Sequence, residues 1–294
     1  MNLKEIDFYQ NIQIEKDGIF ESLGFVSHAA NQMMVFLESN EYLPELLENP
    51  VISCVVTTPE LANTLPDRYG VLTCETPRKA FFEIHNQLAQ SEFYWKEFKS
   101  EISSDARLHP TAFIAEKNVR IGKRVLVEPH VTILEKCIIE DDVIIRSGAV
   151  IGCQGYEFKD LGYTLMPVAH AGGVLVHSRA EIQGNTVVDK AVFNGFTEIG
   201  EDVKIDNLVH VAHNVKIGPR SRIVAMAMLG GSVVIGSDVW IGPSSVISNG
   251  VRIGDRAFVT LGSVVTRDVA PGQHVTGNFA IEHNKFLAFL KTIR

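Results

Sequence analysis

Cysteine is scarce in this sequence, and positive charge is outweighed by negative charge. The 294 residues include four cysteines with no C-x-x-C pair, which are Cys54, Cys74, Cys137 and Cys153. We interpret them as reduced thiols, which predicts a cytoplasmic protein. Lys and Arg number 27 against 35 Asp and Glu, for a net charge of −8. An acidic chain without a Lys/Arg block is a poor candidate for binding nucleic acid or an anionic membrane.

Long apolar runs are also missing. No stretch approaches the ~18 residues that a transmembrane helix needs, so we expect no membrane span. The start of the chain, MNLKEIDFYQN, lacks the apolar core of a signal peptide. Hydrophobic residues make up 46% and charged residues 21% of the chain, a balance that disfavours disorder and favours a globular protein.

A six-residue repeat dominates the second half of the chain. Fourteen successive positions at this spacing, from Val187 to Val265, are all apolar, and a shorter series runs from Ile121 to Ile151. Glycine often follows the apolar residue, and a small or β-branched residue often stands four positions after it. A period of six fits neither an α-helix nor a simple alternating strand.

Short strands that meet at tight corners account for this period, with one side chain of each hexad pointing inward. Three sides make a coil of about 18 residues, and coils stacked at ~4.8 Å give a parallel β-helix around an apolar column. We expect the small residue to let the chain turn and glycine to supply unusual backbone angles. A β-sandwich is the less favoured alternative, because its turns would not keep a fixed period.

The same pattern divides the chain into three parts. Residues 1–100 show no hexads, and strand-like runs together with a predicted helix at 77–90 indicate a small α/β domain. Residues 101–280 form the predicted β-helix, interrupted at 153–174 by a Gly-, Tyr- and Lys-rich loop. Residues 281–294 have apolar residues at helical spacing and predict one short helix.

Residues 206–215, DNLVHVAHNV, resemble the Asp-Asn to Ala-His-Asn-Val signature of the UDP-3-O-acylglucosamine N-acyltransferases of lipid A biosynthesis. Three further segments are similar to that family's loop, sugar-binding and uridine-binding stretches; they are Gly152-x-x-Gly155-Tyr156, residues 184–189 and residues 35–42. The resemblance implies a left-handed β-helix, a nucleotide-binding N-terminal domain, and a homotrimer with active sites between subunits. It also implies transfer of an acyl group from a carrier thioester to the amine of a nucleotide-linked sugar.

His213 is the candidate general base, because an imidazole pKa of ~6.5 suits removal of a proton from the sugar amine. It stands two residues after the inward-pointing Val211, at an outward corner, and it is the histidine of the family signature. Gly231 comes one predicted coil later, so its backbone N–H lies ~4.8 Å above and could stabilise the oxyanion. The alternatives are a corner histidine that only bonds its neighbours and an ordinary corner glycine.

Two aspartates could orient His213 or bind the sugar. Asp206 also fits a turn-capping carboxylate, so Asp189, which matches the family's sugar-binding segment, is preferred. On the loop, Tyr156 and His170 are candidates for lining the sugar site, with surface positions as the alternative.

Phe36 and Tyr42 in the first domain are candidates for stacking on a uracil or thymine ring. The alternative is that both are core aromatic residues.

The sequence departs from the family in places that bear on the acyl donor. Val251 stands where the family has a second histidine, Leu261 and Ser263 where it has methionines that measure the lipid chain, and the C-terminal helix is short. There are also fewer coils before the loop. Segments 239–243 and 262–272 instead resemble acyltransferases that use coenzyme A.

Thr266 and Arg267 are therefore candidates for binding the pantetheine arm and phosphates of coenzyme A, since Arg suits a diphosphate. We predict transfer of a short acyl group, hydroxylated or not, from acyl-CoA to a dTDP- or UDP-linked amino-deoxysugar, for surface polysaccharide synthesis. The alternative is the lipid A reaction on UDP-3-O-(3-hydroxyacyl)glucosamine, with acyl carrier protein as donor.

Two other classes of protein remain open. Hexapeptide β-helices include zinc carbonic anhydrases, and a zinc site needs three converging ligands. His170, His177, His210 and His213 lack a third histidine at a coil-related spacing, so we expect no metal. A scaffold that binds nucleotide sugars without turnover is the third possibility, and it would tolerate loss of His213.

Overall fold

The computed structural model describes residues 1–6, 11–277 and 283–292. The N-terminal strands are β1 Gln13–Lys16, β2 Ser22–Leu23, β3 Met33–Leu37, β4 Ile52–Thr57 and β5 Gly70–Thr73. They form one sheet in the order β1-β5-β4-β3-β2, antiparallel between β1 and β5 and parallel elsewhere. The helices are α1 Leu43–Glu48, α2 Pro59–Ala62 and α3 Pro77–Leu88, with 3-10 turns at Leu3–Glu5 and Asn40–Tyr42.

The middle of this sheet is apolar because parallel strands are covered on both faces. Val35 on β3 and Val55 on β4 are fully buried. Helix α3 covers most of the segment predicted to be helical. It begins with Pro77, whose fixed φ suits a first helical turn, and it buries Phe81 against the sheet side of the domain.

A three-faced β-helix follows, built from strands of two to four residues that pair in parallel with the coils before and after. The first face contains Arg107–Leu108, Leu126–Val127, Ile144–Ile145, Glu181–Ile182, Lys204–Ile205, Arg222–Ile223, Trp240–Ile241, Phe258–Val259 and His274–Val275. The second face contains Phe113–Ile114, Thr132–Ile133, Val150–Cys153, Val187–Asp189, His210–Val211, Met228–Leu229, Val246–Ile247 and Val264–Val265. The third face contains Glu101–Ile102, Val119–Ile121, Cys137–Ile139, Gly173–Val176, Phe196–Ile199, Lys216–Ile217, Val234–Ile235 and Arg252–Ile253.

Each hexad sends two side chains into the column, where the period led us to expect one. In the coil before the candidate base, Val203, Ile205, Val209 and Val211 are all at most 1% exposed. The small or β-branched residue four positions after the apolar one therefore does not merely allow a corner. It is the second core position of the hexad and fills the column beside its neighbour.

Residues other than glycine carry the left-handed backbone at most corners. Arg220, Met226, Ser232 and Asp238 follow one another at six-residue spacing with φ between 58° and 62°. The short corner therefore requires a positive φ of whichever residue occupies it, even where that residue is not glycine.

The glycines that follow the apolar residues serve another purpose than the one predicted from the sequence. A Cβ at Gly200 would lie 2.5 Å from the carbonyl oxygen of Ile217, and one at Gly218 would lie 2.5 Å from the carbonyl carbon of Gly236. Glycine is needed there because the next coil passes too close for any side chain, and not for an unusual φ.

The predicted loop contains a β-hairpin, Phe158–Asp160 paired with Leu165–Pro167. Its returning arm packs onto the N-terminal domain. Val168 and Ala171 share one buried apolar cluster with Phe81, Phe82 and Phe193. The first domain and the β-helix are therefore joined through this loop by a common core.

The chain ends in helix α4, His283–Thr292. The predicted start of this helix at Ile281 lies outside the described residues. Among the helices that the structure describes, none combines the length and the apolar character needed to cross a membrane.

Candidate active site

His213 lies on the edge between the second and third faces, with 16% of its side chain exposed. Its Nδ1 is 3.2 Å from Oδ1 of Asn214, which also accepts a hydrogen bond from the backbone N–H of Val192. Because Oδ1 can only accept, Nδ1 carries the proton in the neutral ring. Nε2 is then the free acceptor, which is the state a general base requires.

Gly231 packs directly against this ring, one coil further along. A Cβ on Gly231 would lie 2.5 Å from Cε1 and 2.6 Å from Nε2 of His213. Its backbone N–H donates to Oδ1 of Asn249 at 3.1 Å. The predicted oxyanion donor is thus already occupied, so an oxyanion would have to replace the Asn249 side chain. Asn249 was not singled out from the sequence, although it stands one further coil along the same edge.

His170 is buried next to His213, with the ring centroids 5.4 Å apart. Its Nδ1 lies 3.2 Å from the carbonyl oxygen of Val168, whereas Nε2 is buried and has no hydrogen-bond partner among the described residues. Burial lowers the pKa of His170 to about 4, so the ring is neutral at pH 7. A Cβ at Gly155 would lie 2.5 Å from this Nε2, which explains the glycine at that point of the loop.

Helix α3 holds the segment that carries His170. Asn86 donates its Nδ2–H to the carbonyl oxygen of Pro167 at 2.8 Å, and its Oδ1 accepts from the N–H of Ala169 at 2.8 Å. Nε2 of His85 is 2.7 Å from the carbonyl oxygen of Ala169. The first domain thereby positions a side chain of the site.

The two candidate aspartates have different surroundings. Asp189 is 4% exposed, and burial raises its pKa to about 7. Its Oδ2 is 3.6 Å from Nε2 of His210, so of the two roles predicted for it, orienting His213 or binding the sugar, its observed contact does not support the first. Asp206 accepts from the backbone N–H groups of Asn207 at 2.8 Å and Ala225 at 3.1 Å, which is the turn-capping alternative.

Phe36 and Tyr42 border one cavity of about 250 Å³ in the first domain. Phe36 also packs on Phe81 at 5.2 Å between ring centroids, whereas Tyr42 is 52% exposed. The guanidinium of Arg78 lies 5.7 Å from the Phe36 ring centroid and pairs with Glu38 at 2.7 Å. The cavity is bordered by a flat apolar wall, an exposed aromatic ring, the Arg78–Glu38 ion pair and Glu45.

Aromatic contacts connect this cavity to the histidines. Phe25 borders the cavity, and its ring centroid lies 5.1 Å from that of His28 and 5.4 Å from that of Phe193. The pKa of His28 is lowered by burial and by the charge of His213. His28 therefore belongs to the same site, and the sequence offered no signal for it.

In the loop, the residue that contacts His213 is Glu157, whereas the residue predicted to line the site was its neighbour Tyr156. Tyr156 is 89% exposed, and its ring packs edge-on against Phe158. The structure does not bring it into the histidine cluster. Oε2 of Glu157 instead lies 3.8 Å from Nε2 of His213. Nothing in the sequence pointed to Glu157, because the hexads lapse in this loop.

Thr266 and Arg267 border a shallow groove of about 230 Å³ at the C-terminal end of the β-helix. Arg267 stands on the same edge as His213, three coils further along, a separation of roughly 14 Å at ~4.8 Å per coil. A donor that lies along this edge would pass both residues.

Within the described part of the chain, no three His, Cys, Asp or Glu side chains are placed to hold a metal ion. His177 lies apart from the other histidines, with Nδ1 3.2 Å from Glu140 and Nε2 3.0 Å from Glu198.

Comparison with known proteins identifies relatives over most of the chain. The family model "Bacterial transferase hexapeptide (six repeats)" matches residues 118–153, 196–231 and 232–267. UDP-3-O-acylglucosamine N-acyltransferase 2 of Legionella pneumophila (strain Paris) is 33% identical over an alignment of 301 positions, gaps included. The alignment covers 92% of this chain and 86% of that protein. A UDP-3-O-acylglucosamine N-acyltransferase of Helicobacter pylori (strain ATCC 700392 / 26695) is 28% identical over 78% of this chain and 74% of its own length.

Among solved structures, the UDP-N-acetylglucosamine acyltransferase from Campylobacter jejuni is similar with a TM-score of 0.51. The two chains are 20% identical, and the match covers 66% of this chain and 81% of the other. This likeness concerns the fold, a left-handed β-helix, as predicted.

Proposed function

The chain belongs to the UDP-3-O-acylglucosamine N-acyltransferase family, whose members are amide-forming acyltransferases, and we propose that it acylates the amino group of a UDP-linked, 3-O-acylated glucosamine. The observation that carries the proposal is the free Nε2 of His213 packed against Gly231, in a cluster that aromatic residues connect to a cavity suited to a nucleobase. The relatives favour this acceptor over the dTDP-linked amino-deoxysugar that the sequence departures had suggested.

In the proposed reaction, the neutral sugar amine attacks the thioester carbonyl carbon and forms the C–N bond. Nε2 of His213 accepts a proton from the attacking nitrogen. The oxyanion forms at the N–H of Gly231, displacing the side-chain oxygen of Asn249. Collapse of the intermediate breaks the C–S bond, and the imidazolium returns its proton to the thiolate. The products are an amide and a thiol.

The acceptor would lie between the two domains. Phe36 and Tyr42 would take the uracil ring, and Arg78 would exchange its pair with Glu38 for the diphosphate. The sugar would then reach the histidine cluster past Phe25, where Asp189 and His170 are the proposed sugar contacts. The aromatic contacts give this route its support.

The donor has two candidates. Family membership supports an acyl chain on acyl carrier protein. The groove at Thr266 and Arg267 and the ten residues of α4 support acyl-CoA as a second candidate. Val251, which replaces the family's second histidine, points into the apolar column with 5% exposure, so that position offers no second imidazole to the cleft.

A homotrimer is part of the proposal. Outward positions of the second face carry apolar side chains on three successive coils, Met228, Val246 and Val264, which are 36% to 59% exposed. Leu208 and Met226 extend this stripe along the neighbouring edge. An exposed apolar stripe of this length is typical of a contact with another subunit. It lies next to the edge that carries His213.

A donor-by-acceptor assay tests the function. Purified protein is incubated with UDP-3-O-acylglucosamine or a dTDP-linked amino-deoxysugar, each with 3-hydroxyacyl carrier protein or with acetyl-CoA, and the amide is measured by mass spectrometry. We expect turnover of the 3-O-acylated UDP-glucosamine. If turnover is confined to acetyl-CoA and the dTDP-linked sugar, the protein is instead a CoA-dependent acyltransferase of amino-deoxysugars. If it binds nucleotide sugars but forms no amide, the result favours a binding scaffold without turnover.

A further inference from the structure

Glu157 faces the candidate base from the loop at 153–174, where the six-residue repeat is interrupted. Its backbone carbonyl accepts from the N–H of Val168 at 2.9 Å, which ties it to the returning arm of the hairpin. Its Oε2 lies 3.8 Å from Nε2 of His213. The side chains are 24% and 16% exposed, so water has limited access to the space between them.

The other carboxylate oxygen of Glu157 already has a partner. Oε1 pairs with the ammonium of Lys159, which in turn sits 4.4 Å from the ring centroid of Phe82. This pair fixes the direction of the carboxylate and leaves Oε2 turned toward His213. Two acceptors, Oε2 and the free Nε2, therefore face each other across 3.8 Å.

A gap of this width accepts one donor atom. A nitrogen placed about 2.9 Å from each of the two atoms satisfies normal hydrogen-bond geometry at both. An ammonium group has three N–H donors and can bond to both acceptors at once, whereas an alcohol has one hydrogen and would leave one acceptor unpaired. Its positive charge also strengthens the bond to a carboxylate, roughly twofold over a neutral pair.

We propose that Glu157 binds the protonated amino group of the acceptor sugar, holding its nitrogen between Oε2 and Nε2 of His213. This inference rests on the proposed function and adds the determinant that selects an amine over a hydroxyl. The bound ammonium loses one proton to solvent by way of the Glu157 carboxylate. The resulting amine attacks the thioester, and its second proton passes through His213 to the thiol product, so that the proton count balances.

The charges around Glu157 are compatible with a bound cation. Lys159 is committed to Oε1, and His170 is neutral at pH 7 because burial lowers its pKa. His28 and His210, which face His213 from two other elements, also have pKa values lowered by burial. Burial also lowers the pKa of Lys190, whose charge acts on His170.

Binding and turnover of matched acceptors test the inference. The two ligands are UDP-glucosamine and UDP-glucose, which differ only in that the first has an amine where the second has a hydroxyl. Their dissociation constants are measured by calorimetry at pH 7 for the wild type and for the variants Glu157→Gln and Glu157→Asp. We expect the wild type to prefer the amine by about tenfold or more, Glu157→Gln to lose that preference, and Glu157→Asp to keep part of it. Glu101→Gln, which removes a carboxylate from the exposed pair with Arg120, is the control that keeps the preference.

The pH profile of kcat/KM gives a second readout. Loss of Glu157 should lower kcat/KM for amine acylation by about 10- to 100-fold at pH 7, with the deficit shrinking toward pH 9, where the free amine is neutral. The wild type could acylate the amine while Glu157→Gln shows the same preference for UDP-glucosamine and the same pH profile of kcat/KM. The role of Glu157 would then be refuted, and the proposed function would stand. If the wild type neither prefers nor acylates the amine, both proposals are wrong.

Discussion

At the scale of single residues, the site depends on one imidazole whose tautomer is set by its neighbour. Asn214 accepts from both Val192 and His213, and this leaves Nε2 of His213 free. The proposed base function therefore depends on a hydrogen bond within one corner of the coil. Of the residues in the cluster, only His213 was assigned this role from the sequence.

Replacing His213 with alanine should reduce kcat by about 10²- to 10⁴-fold, because a positioned general base contributes that much. KM for the nucleotide sugar should change much less than kcat, because only one contact to the sugar amine is lost and the proposed nucleobase cavity is in the other domain. Steady-state amide formation measures both. His274→Ala, on the first face beside Phe258, is the matched control, and an equal rate for His213→Ala would refute the base assignment.

Gly231→Ala should remove most activity while the protein remains folded. The new Cβ would stand 2.5 Å from Cε1 of His213, and the ring is the part that can move away. We expect kcat to fall by about 100-fold, as for loss of an oriented base. Ser237→Ala, at a corner between the third and first faces and away from the edge that carries His213, should keep full activity with the same circular dichroism spectrum. Wild-type kcat in Gly231→Ala would contradict the proposal that the position of the His213 ring controls the rate.

At the scale of elements, the β-helix is stabilised by its apolar column and not by long strands. Two inward side chains per hexad stack on those of the next coil, and the strands contribute only short parallel ladders. A gap in the column should therefore be costly, and a change at an outward corner should not.

Ile241→Ala tests this contrast. Ile241 is fully buried, so truncation should lower the free energy of unfolding by about 2–5 kcal/mol through lost burial and a cavity. Arg256→Ala, at an exposed corner between the third and first faces, should change it by less than about 0.5 kcal/mol. Chemical denaturation followed by far-UV circular dichroism measures both, and similar values for the two would argue against a column-based stability.

Helix α3 makes the domain junction sensitive to acid through His85. Burial lowers the pKa of this histidine to about 4 from 6.5. The unfolded chain binds the proton below pH 6.5 and the folded chain does not, so this stability is complete above pH 6.5 and is lost as the pH falls toward 4. The loss amounts to about 3 kcal/mol.

His85→Gln should therefore show a flatter dependence of unfolding free energy on pH between 6.5 and 4 than the wild type. The exposed His109→Gln is the control and should follow the wild type. Asp189 works in the opposite direction, because its raised pKa removes stability as the pH rises toward 7. Comparing variant with wild type at each pH cancels that contribution, and parallel curves for His85→Gln would refute the assignment.

At the scale of the whole molecule, the exposed apolar stripe on the second face predicts the assembly. Sedimentation analysis should give a mass near three times the 32.5 kDa of one chain. Val246→Glu places a charge in the middle of the stripe and should shift the protein toward monomers with loss of activity. Arg107→Glu, at an outward position of the first face, should remain trimeric. A wild-type monomer with full activity would refute the trimer.

The sequence by itself determined the architecture, because the period of six is a property of neighbouring residues along the chain. A hexad needs only its own apolar residues and a tight corner, so strand positions, coil length and the stacking of Gly231 on His213 all followed from counting. The prediction of a left-handed β-helix of the N-acyltransferase family is confirmed. The reasons given for glycine and for the number of inward positions were wrong, because spacing alone does not show how closely the coils approach.

Only the tertiary structure decided which other side chains lie near His213. Glu157 and His170 lie in an insertion without a period, and α3 fixes the path of that insertion through His85 and Asn86. His28 arrives from a separate domain, and Asn249 is selected by its contact with the N–H of Gly231. Such contacts join residues that are distant along the chain, and they depend on how the N-terminal domain, the loop and the β-helix pack together. A local repeat carries no information about that packing.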